Sequence, residues 1–203
     1  MLQLHPFQQD SVLKGIVLEG HLRWVTNQLL LHFRLEAPLK QLVCPSQSAT
    51  PQRLDGLWHS TCLEAFFAVP GEPHYWEFNL SPSGDWNLYR LEDYRQGLRE
   101  EPGVGIGAIR LKKEVVGSAV QLEAEVALDL GETLSGVTML EGSLSAVIEQ
   151  QGRGCSFWAL EHCGEEADFH RRESFILGIK KEDRSAQQIR RNSRAFKGQG
   201  IAL

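Results

Sequence analysis

Two glutamates at strand positions, two asparagines and a dense set of aromatic rings alternate through residues 57–90, LWHSTCLEAFFAVPGEPHYWEFNLSPSGDWNLYR. Two turns, PGEPH and SPSGD, divide the stretch into three runs with a period of two. In the first run Cys62, Glu64, Phe66 and Ala68 fall on one face, and Leu63, Ala65, Phe67 and Val69 on the other. In the second, Tyr75, Glu77 and Asn79 oppose Trp76, Phe78 and Leu80; in the third, Asn87 and Tyr89 oppose Trp86 and Leu88. A hairpin must bring like faces together, because a slip of one residue would put carboxylates among the apolar side chains. Glu64, Phe66, Glu77, Asn79, Asn87 and Tyr89 are therefore expected on one surface. Rings that stack on apolar faces, beside planar acceptors and amides that pair with hydroxyls, suit a saccharide. The same pattern also describes a solvated sheet face on which Glu64 and Glu77 only maintain solubility.

Other chemistry is less well provided for. A glycoside hydrolase needs two carboxyl groups roughly 5–10 Å apart, one of them protonated. Glu64 and Glu77 on neighbouring strands could meet the distance, but an open sheet face would leave both solvated and ionised. The chain is therefore expected to bind without catalysis, with no catalytic residue. The set His162, Cys163, Asp168 and His170 matches no standard zinc spacing, and Asp168 and His170 serve equally well to fix a turn. No dense Asp cluster offers a calcium site. Haem would need axial ligands from His32, His162 or His170, with Met139 as the sole methionine after the initiator. No metal and no cofactor are expected. Cys62 alternates onto the glutamate face, where carboxylates disfavour a thiolate.

The elements that must position these residues are mostly strands. Residues 12–19 alternate loosely. Leu29, Leu31, Phe33 and Leu35 share one face of a second strand, with Leu30, His32, Arg34 and Glu36 opposite. Residues 44–56 form a polar loop with two prolines. Residues 92–107 combine a short charged piece with a glycine-rich loop, and a short helical turn is expected over 91–99. Residues 121–130 alternate most cleanly, with Leu122, Ala124, Val126, Leu128 and Leu130 inward. Shorter strands are expected over 144–149, 156–160 and 174–179, and a helical turn over 131–134. Short strands, Gly/Pro/Asn turns and scarce amphipathic helices predict an all-β, antiparallel β-sandwich of the jelly-roll or immunoglobulin-like kind, with few short helices. Trp24, Trp76 and Trp86 are assigned to packing; Trp58 follows a polar loop and is the best-placed ring for a ligand.

Charge is unevenly distributed. Of 21 Lys and Arg, five follow Asp183 with no acid among them, which leaves the body 16 bases against 26 acids. An acidic body is unsuited to phosphate contacts, so no nucleic-acid partner is expected for it. The four cysteines contain no CxxC pair, no secretory signal is evident at the N-terminus, and no apolar run approaches a membrane span. A cytoplasmic protein with reduced thiols is the expectation. The division predicted is a β-sandwich over 1–183 and a flexible basic tail over 184–203, which could dock an acidic protein partner. An interaction scaffold is thus the alternative to a saccharide-binding domain.

The order of several motifs resembles a known family. Trp58 followed by LEAFF at 63–67, YWEFN at 75–79 and Gly84, then VQLEAEVAL at 120–128, FWALEH at 157–162 and DFHRRESFILGI at 168–179, resembles the family 9 carbohydrate-binding modules. It is still more similar to the DOMON-like bacterial proteins grouped with them. The resemblance covers roughly residues 12–180 and implies an antiparallel β-sandwich. In the sugar-binding members two tryptophans clamp a terminal ring while Glu, Asn and Arg bond its hydroxyls. Carried over, it implies Trp58 and Trp158 as the clamp, Glu64 as an acid of the site, and His170 and Arg171 from the FHR motif, alongside Glu77 and Asn79. His59-Ser60-Thr61 stands where that motif is commonly acidic.

Overall fold

The computed structural model describes residues 1–183; the basic tail expected over 184–203 lies outside the described residues. The strands in chain order are β1 (Leu2–Gln3), β2 (His5–Pro6), β3 (Val17–Val25), β4 (Gln28–Pro38), β5 (Cys62–Ala68), β6 (Tyr75–Leu80), β7 (Trp86–Leu91) and β8 (Arg99–Glu100). They continue with β9 (Gly105–Val116), β10 (Ala119–Asp129), β11 (Met139–Gln150), β12 (Gly154–Ala159) and β13 (Leu177–Glu182). Among the described residues three single-turn 3-10 helices occupy Ser11–Leu13, Leu57–His59 and Arg172–Ser174. No helix among the described residues is long and apolar enough to cross a membrane.

The strands form an antiparallel β-sandwich. One sheet runs β8-β7-β6-β5-β11, with β12 and β2 continuing from β11; the other runs β3-β4-β10-β9, with β1 on β3. β13 joins them, pairing antiparallel with β11 through Leu177–Lys180 and parallel with β3 through Lys181 and Glu182. Between the sheets lies the main core. Leu18, Trp24, Leu29, Leu31, Phe33 and Leu35 come from one side, and Leu63, Phe67, Trp76, Phe78, Leu80 and Leu88 from the other. Both inward faces are the ones that alternation selects, as the register β5–β6 (Ala65↔Phe78) and β3–β4 (Leu22↔Leu31) requires. Fully burying each large side chain contributes roughly 1.5–3 kcal/mol before entropy is subtracted.

Three local expectations differ from the structure. Residues 12–19 hold a 3-10 turn, capped by the Asp10 side chain on the Val12 N–H, before β3 begins at Val17. No helical turn forms over 91–99 or 131–134; both are turns without a helix. The glycine-rich piece at 103–107 leads directly into twelve-residue β9. β9 is the sheet edge, paired only with β10 among the described residues, so most of its side chains meet solvent and its alternation is blurred.

The two sheets are covered differently. On β4 and β10 buried residues alternate with partly exposed or exposed ones, the mark of one solvated face. β5 and β6 are buried at every position. A second apolar cluster, Phe66, Ala68, Tyr75, Tyr89, Leu91 and Phe175, with Trp58 and Phe169 packed against it, lies on the face away from the main core.

Candidate functional site

That second face is the floor of a cavity. Strand pairing sets Glu64 opposite Asn79 and Phe66 opposite Glu77, while Asn79 faces Asn87 and Glu77 faces Tyr89. β11 adds Ser145 opposite Glu64, and β12 adds Phe157 opposite Val147. The shared surface expected from alternation is therefore present. Its expected solvation is not, and this corrects the reading of an open sheet face. Glu64 is 2% exposed, Glu77 4% and Asn79 0%. Loops from three parts of the chain close over them and leave a cavity of about 310 Å³. Trp58, Phe157, Phe169, Arg95 and His170 form its walls and rim above Glu64, Phe66 and Glu77. That volume is at the lower end for small-molecule pockets and suits a ligand of about one ring.

Each covering loop is tied down. Residues 44–56 return to β7 through backbone bonds Leu54 N–H to Trp86 O and Trp86 N–H to Gln52 O. Asp55 accepts the Tyr89 hydroxyl at 2.5 Å, and the Asn87 amide donates to that same hydroxyl oxygen at 2.8 Å. Gly56 then turns the chain at φ +73, in the left-handed region that suits glycine. The 3-10 turn that follows seats half-buried Trp58 edge-on to Tyr89, centroids 5.8 Å apart. On the other side, the Thr61 hydroxyl donates to Val43 O, and the Ser60 hydroxyl to Glu149, each at 2.5 Å.

The second cover is the loop 160–176, and its anchors explain the DFHRR run. Asp168 accepts the Tyr94 hydroxyl at 2.5 Å, the Arg95 guanidinium at 2.8 Å and the His170 backbone N–H at 3.1 Å. Phe169 faces the cavity, edge to Phe157 with centroids 6.1 Å apart. His170 lies against Phe66, centroids 5.2 Å apart. Arg172 holds the loop to the sheet: its guanidinium donates to the carbonyls of Glu72 (2.8 Å), Pro73 (3.3 Å) and His74 (3.4 Å) and binds the Glu141 carboxylate. Arg171 instead turns outward beside Glu173, 3.9 Å away, and lines no part of the cavity. Arg171, expected in the site, does not line this cavity; adjacent positions in an irregular loop point to different sides, and only the anchor contacts show which.

Trp158 is also corrected. It is 3% exposed, belongs to the inter-sheet core, and its indole N–H donates to the Ser156 hydroxyl at 3.0 Å. Alternation along β12 puts its neighbour Phe157, 39% exposed, on the cavity side. No pair of tryptophans clamps the pocket. Trp58, Phe157 and Phe169 are the available rings. Phe157, Phe169, Arg95 and Tyr75 were not singled out by sequence reasoning. Tyr75 shares the Glu77 alternation and could have been found; the loop residues carry no periodic signal.

Electrostatics on the floor are unusual. The Asn79 amide donates to Glu77 Oε1 at 2.8 Å, and the Ser145 hydroxyl donates weakly to Glu64 Oε2 at 3.5 Å. Glu64 Oε1 and Glu77 Oε2 are buried with no hydrogen-bond partner. Burial, reinforced by the charge of Glu77, pushes the Glu64 carboxyl well above its usual range; burial also raises Glu77, opposed by the Asn79 bond and by Arg95. Cys62, beneath Glu64, is raised by burial and by that carboxylate, as expected for an unreactive thiol. His170 is lowered to about 4, chiefly by burial and then by Arg95, so it is neutral. The Tyr75 hydroxyl accepts the Arg95 N–H at 3.2 Å and lies 2.8 Å from His170 Nδ1. Burial raises Tyr75 to about 12, so it keeps its proton. Donating that proton to Nδ1 satisfies both groups and puts the imidazole proton on Nε2, which faces Glu77 Oε2 at 3.9 Å.

Among the described residues no group of three or more His, Cys, Asp or Glu is placed to hold a metal ion. A larger cavity of about 570 Å³ lies beyond Phe157 and Ala167, walled by Phe7, Leu13, Arg153 and Cys155. Glu165 and Glu166 line it, but Glu64 and Glu77 do not.

No protein-family model and no curated protein matches the chain. Among solved structures, the chain is similar to a candidate carbohydrate-binding protein from Bacteroides uniformis. The TM-score is 0.60 at 12% identity, over 89% of this chain and 87% of that one. It also aligns with a family 9 carbohydrate-binding module from Caldicellulosiruptor kristjanssonii, solved with glucose and with cellotriose. Those alignments have a TM-score of 0.45 at 16% identity, over 90% of this chain and 85% and 84% of theirs. The first similarity is one of fold.

Proposed function

We propose that the cavity over β5 and β6 binds a small polyhydroxylated ligand, a saccharide of about one ring, without catalysis. The observation that supports this is the pair of buried, unpartnered carboxylate oxygens, Glu64 Oε1 and Glu77 Oε2, at the floor of a pocket walled by aromatic rings. Buried acceptors are normally satisfied, and a ligand's donors would satisfy these. Trp58 and Phe157 offer ring faces or edges to the apolar side of a sugar. The resemblance of the sequence motifs to sugar-binding family 9 modules, and the name of the Bacteroides protein, agree with this reading.

The test is a titration of the protein with mono- and disaccharides, followed by tryptophan fluorescence and calorimetry. Trp58→Ala should weaken binding at least about tenfold, the scale of losing an aromatic contact and its buried area. It should leave the chain folded. Saccharide affinity unchanged in that variant would remove the assignment.

One observation favours a second reading, hydrolysis. Both carboxyls are raised, and a glycosidase acid must be protonated. Their placement is less suitable: both rise from one floor on adjacent strands, whereas hydrolysis needs carboxyls that flank the scissile bond. Turnover of aryl glycosides that disappears in Glu64→Gln would favour the hydrolase.

A further inference from the structure

The pocket's charge is out of balance in a way that hydroxyl groups cannot correct. Glu64 is surrounded by Cys62, Ser145 and the second carboxyl, Glu77. Among the described residues no Lys or Arg forms an ion pair with either glutamate. Glu77 has Asn79 on its own strand, Tyr89 opposite it on β7, and His170 from the covering loop, which is neutral and 3.9 Å away. Arg95 is the cation at the rim, and its guanidinium is held by Asp168 at 2.8 Å, which matches its charge. A buried carboxylate without a counter-ion is costly, and it neutralises by taking a proton unless a cation arrives. A neutral polyol can donate to Glu64 Oε1 and Glu77 Oε2, but it leaves that charge uncompensated.

The walls point the same way. Trp58, Phe66, Phe157 and Phe169 all line the cavity, with Phe66 and Phe169 centroids 6.4 Å apart. Aromatic faces carry negative potential and attract a desolvated ammonium. Two orphaned carboxylate oxygens below and several rings around form an enclosure for a compact cation that brings several N–H donors.

Resting on the saccharide reading of this pocket, we infer that its ligand carries a primary ammonium group, as in an amino sugar, bound between Glu64 and Glu77. When it binds, the –NH3+ group supplies the missing counter-charge, any proton shared by the carboxyl pair passes to solvent, and no covalent bond is made or broken. Charge-assisted contacts to a desolvated carboxylate make an amino sugar bind about ten- to a hundredfold tighter than its hydroxyl counterpart.

The experiment is isothermal titration of the protein at about pH 6.5, where sugar amines are protonated. The probes are D-glucosamine, D-galactosamine and D-mannosamine, against D-glucose and N-acetyl-D-glucosamine, in two buffers of different ionisation enthalpy. The expected result is preference for a free amine over both neutral sugars, and any dependence of the heat on the buffer counts the protons released. Glucose or the N-acetyl sugar binding as tightly would overturn the ammonium inference and leave the saccharide pocket standing. Ethanolamine binding as well as the amino sugars, with no glucose binding, would keep the inference and overturn the saccharide reading, whereas equally tight binding of tetramethylammonium, which has no N–H donor, would overturn the primary-ammonium inference. No binding by any probe would overturn both. Glu64→Gln keeps the side chain's shape and removes its charge. The folded variant should lose the amine preference, and a preference that survives in both Glu64→Gln and Glu77→Gln would overturn the inference.

Discussion

Glu123 and Glu125 on β10, and Glu64 and Glu77 on β5 and β6, stand in the same kind of sequence: a charged residue alternating with apolar ones along a strand. Their fates are opposite. Glu123 pairs with His32 at 2.9 Å and Glu125 with Arg110 at 3.5 Å, on a face that meets solvent. Glu64 and Glu77 are buried beneath loops, each with one oxygen unpartnered. Strand period decides which face a residue takes; it does not decide what lies above that face. A sheet face covered by loops from distant parts of the chain becomes a second interior, and the polar groups left there point to a ligand rather than to stability.

The comparison can be tested by mutation on both faces. Phe66→Ala, on the covered face, should cost about 3–5 kcal/mol in denaturant unfolding, as in a core. His32→Ala, on the solvated face, should change stability by no more than about 0.5 kcal/mol. Equal costs would mean that the cover contributes nothing. Next in size is the anchor of the cover. Arg172→Ala removes hydrogen bonds to four carbonyls and a carboxylate and should cost about 1.5–3 kcal/mol, whereas Arg171→Ala should stay within about 0.5 kcal/mol. Hydrogen exchange of residues 160–176 should accelerate in the first variant alone.

The pH dependence is the finest discriminator. Glu64 and Glu77 have folded values above the ordinary 4.5, so the folded state binds more protons and stability falls as pH rises through those values. His170 acts oppositely: lowered from 6.5 to about 4, it contributes stability above 6.5 that is lost as pH falls toward 4. As pH rises above 4.5 the glutamate contribution to the unfolding free energy should decline, whereas that of His170 rises until about 6.5. Glu64→Gln should raise stability there and flatten that decline, while Glu123→Gln should leave the profile unaltered. Thermal unfolding between about pH 4.5 and 8.5, compared with the parent chain, measures both.

Much of the fold was legible in the sequence because period-two patterning is a local property. The inward faces of β4, β5, β6, β7 and β10 follow from it, and so does the grouping of Glu64, Phe66, Glu77 and Asn79. β9 was not legible, since an edge strand need bury little and its glycines suggested a loop. Within the site, Trp58 was identified from its loop context and motif and lines the cavity. Trp158 and Phe157 are adjacent aromatics, and only the pairing of β12 with β11 settles which one turns outward. Arg171 and Arg172 differ only through contacts made about a hundred residues away in sequence.

The sequence by itself determined the β-sandwich and the side of the sheet on which the carboxylates stand, because side-chain direction along a strand follows from backbone geometry. Tertiary structure alone decided that this side is enclosed, that two of its oxygens have no partner, and that Phe157 and Phe169 rather than Trp158 line the pocket. Those properties depend on where loops 44–60, 92–98 and 160–176 come to rest. Loop placement is set by long-range hydrogen bonds and packing, for which the local order of residues has no period.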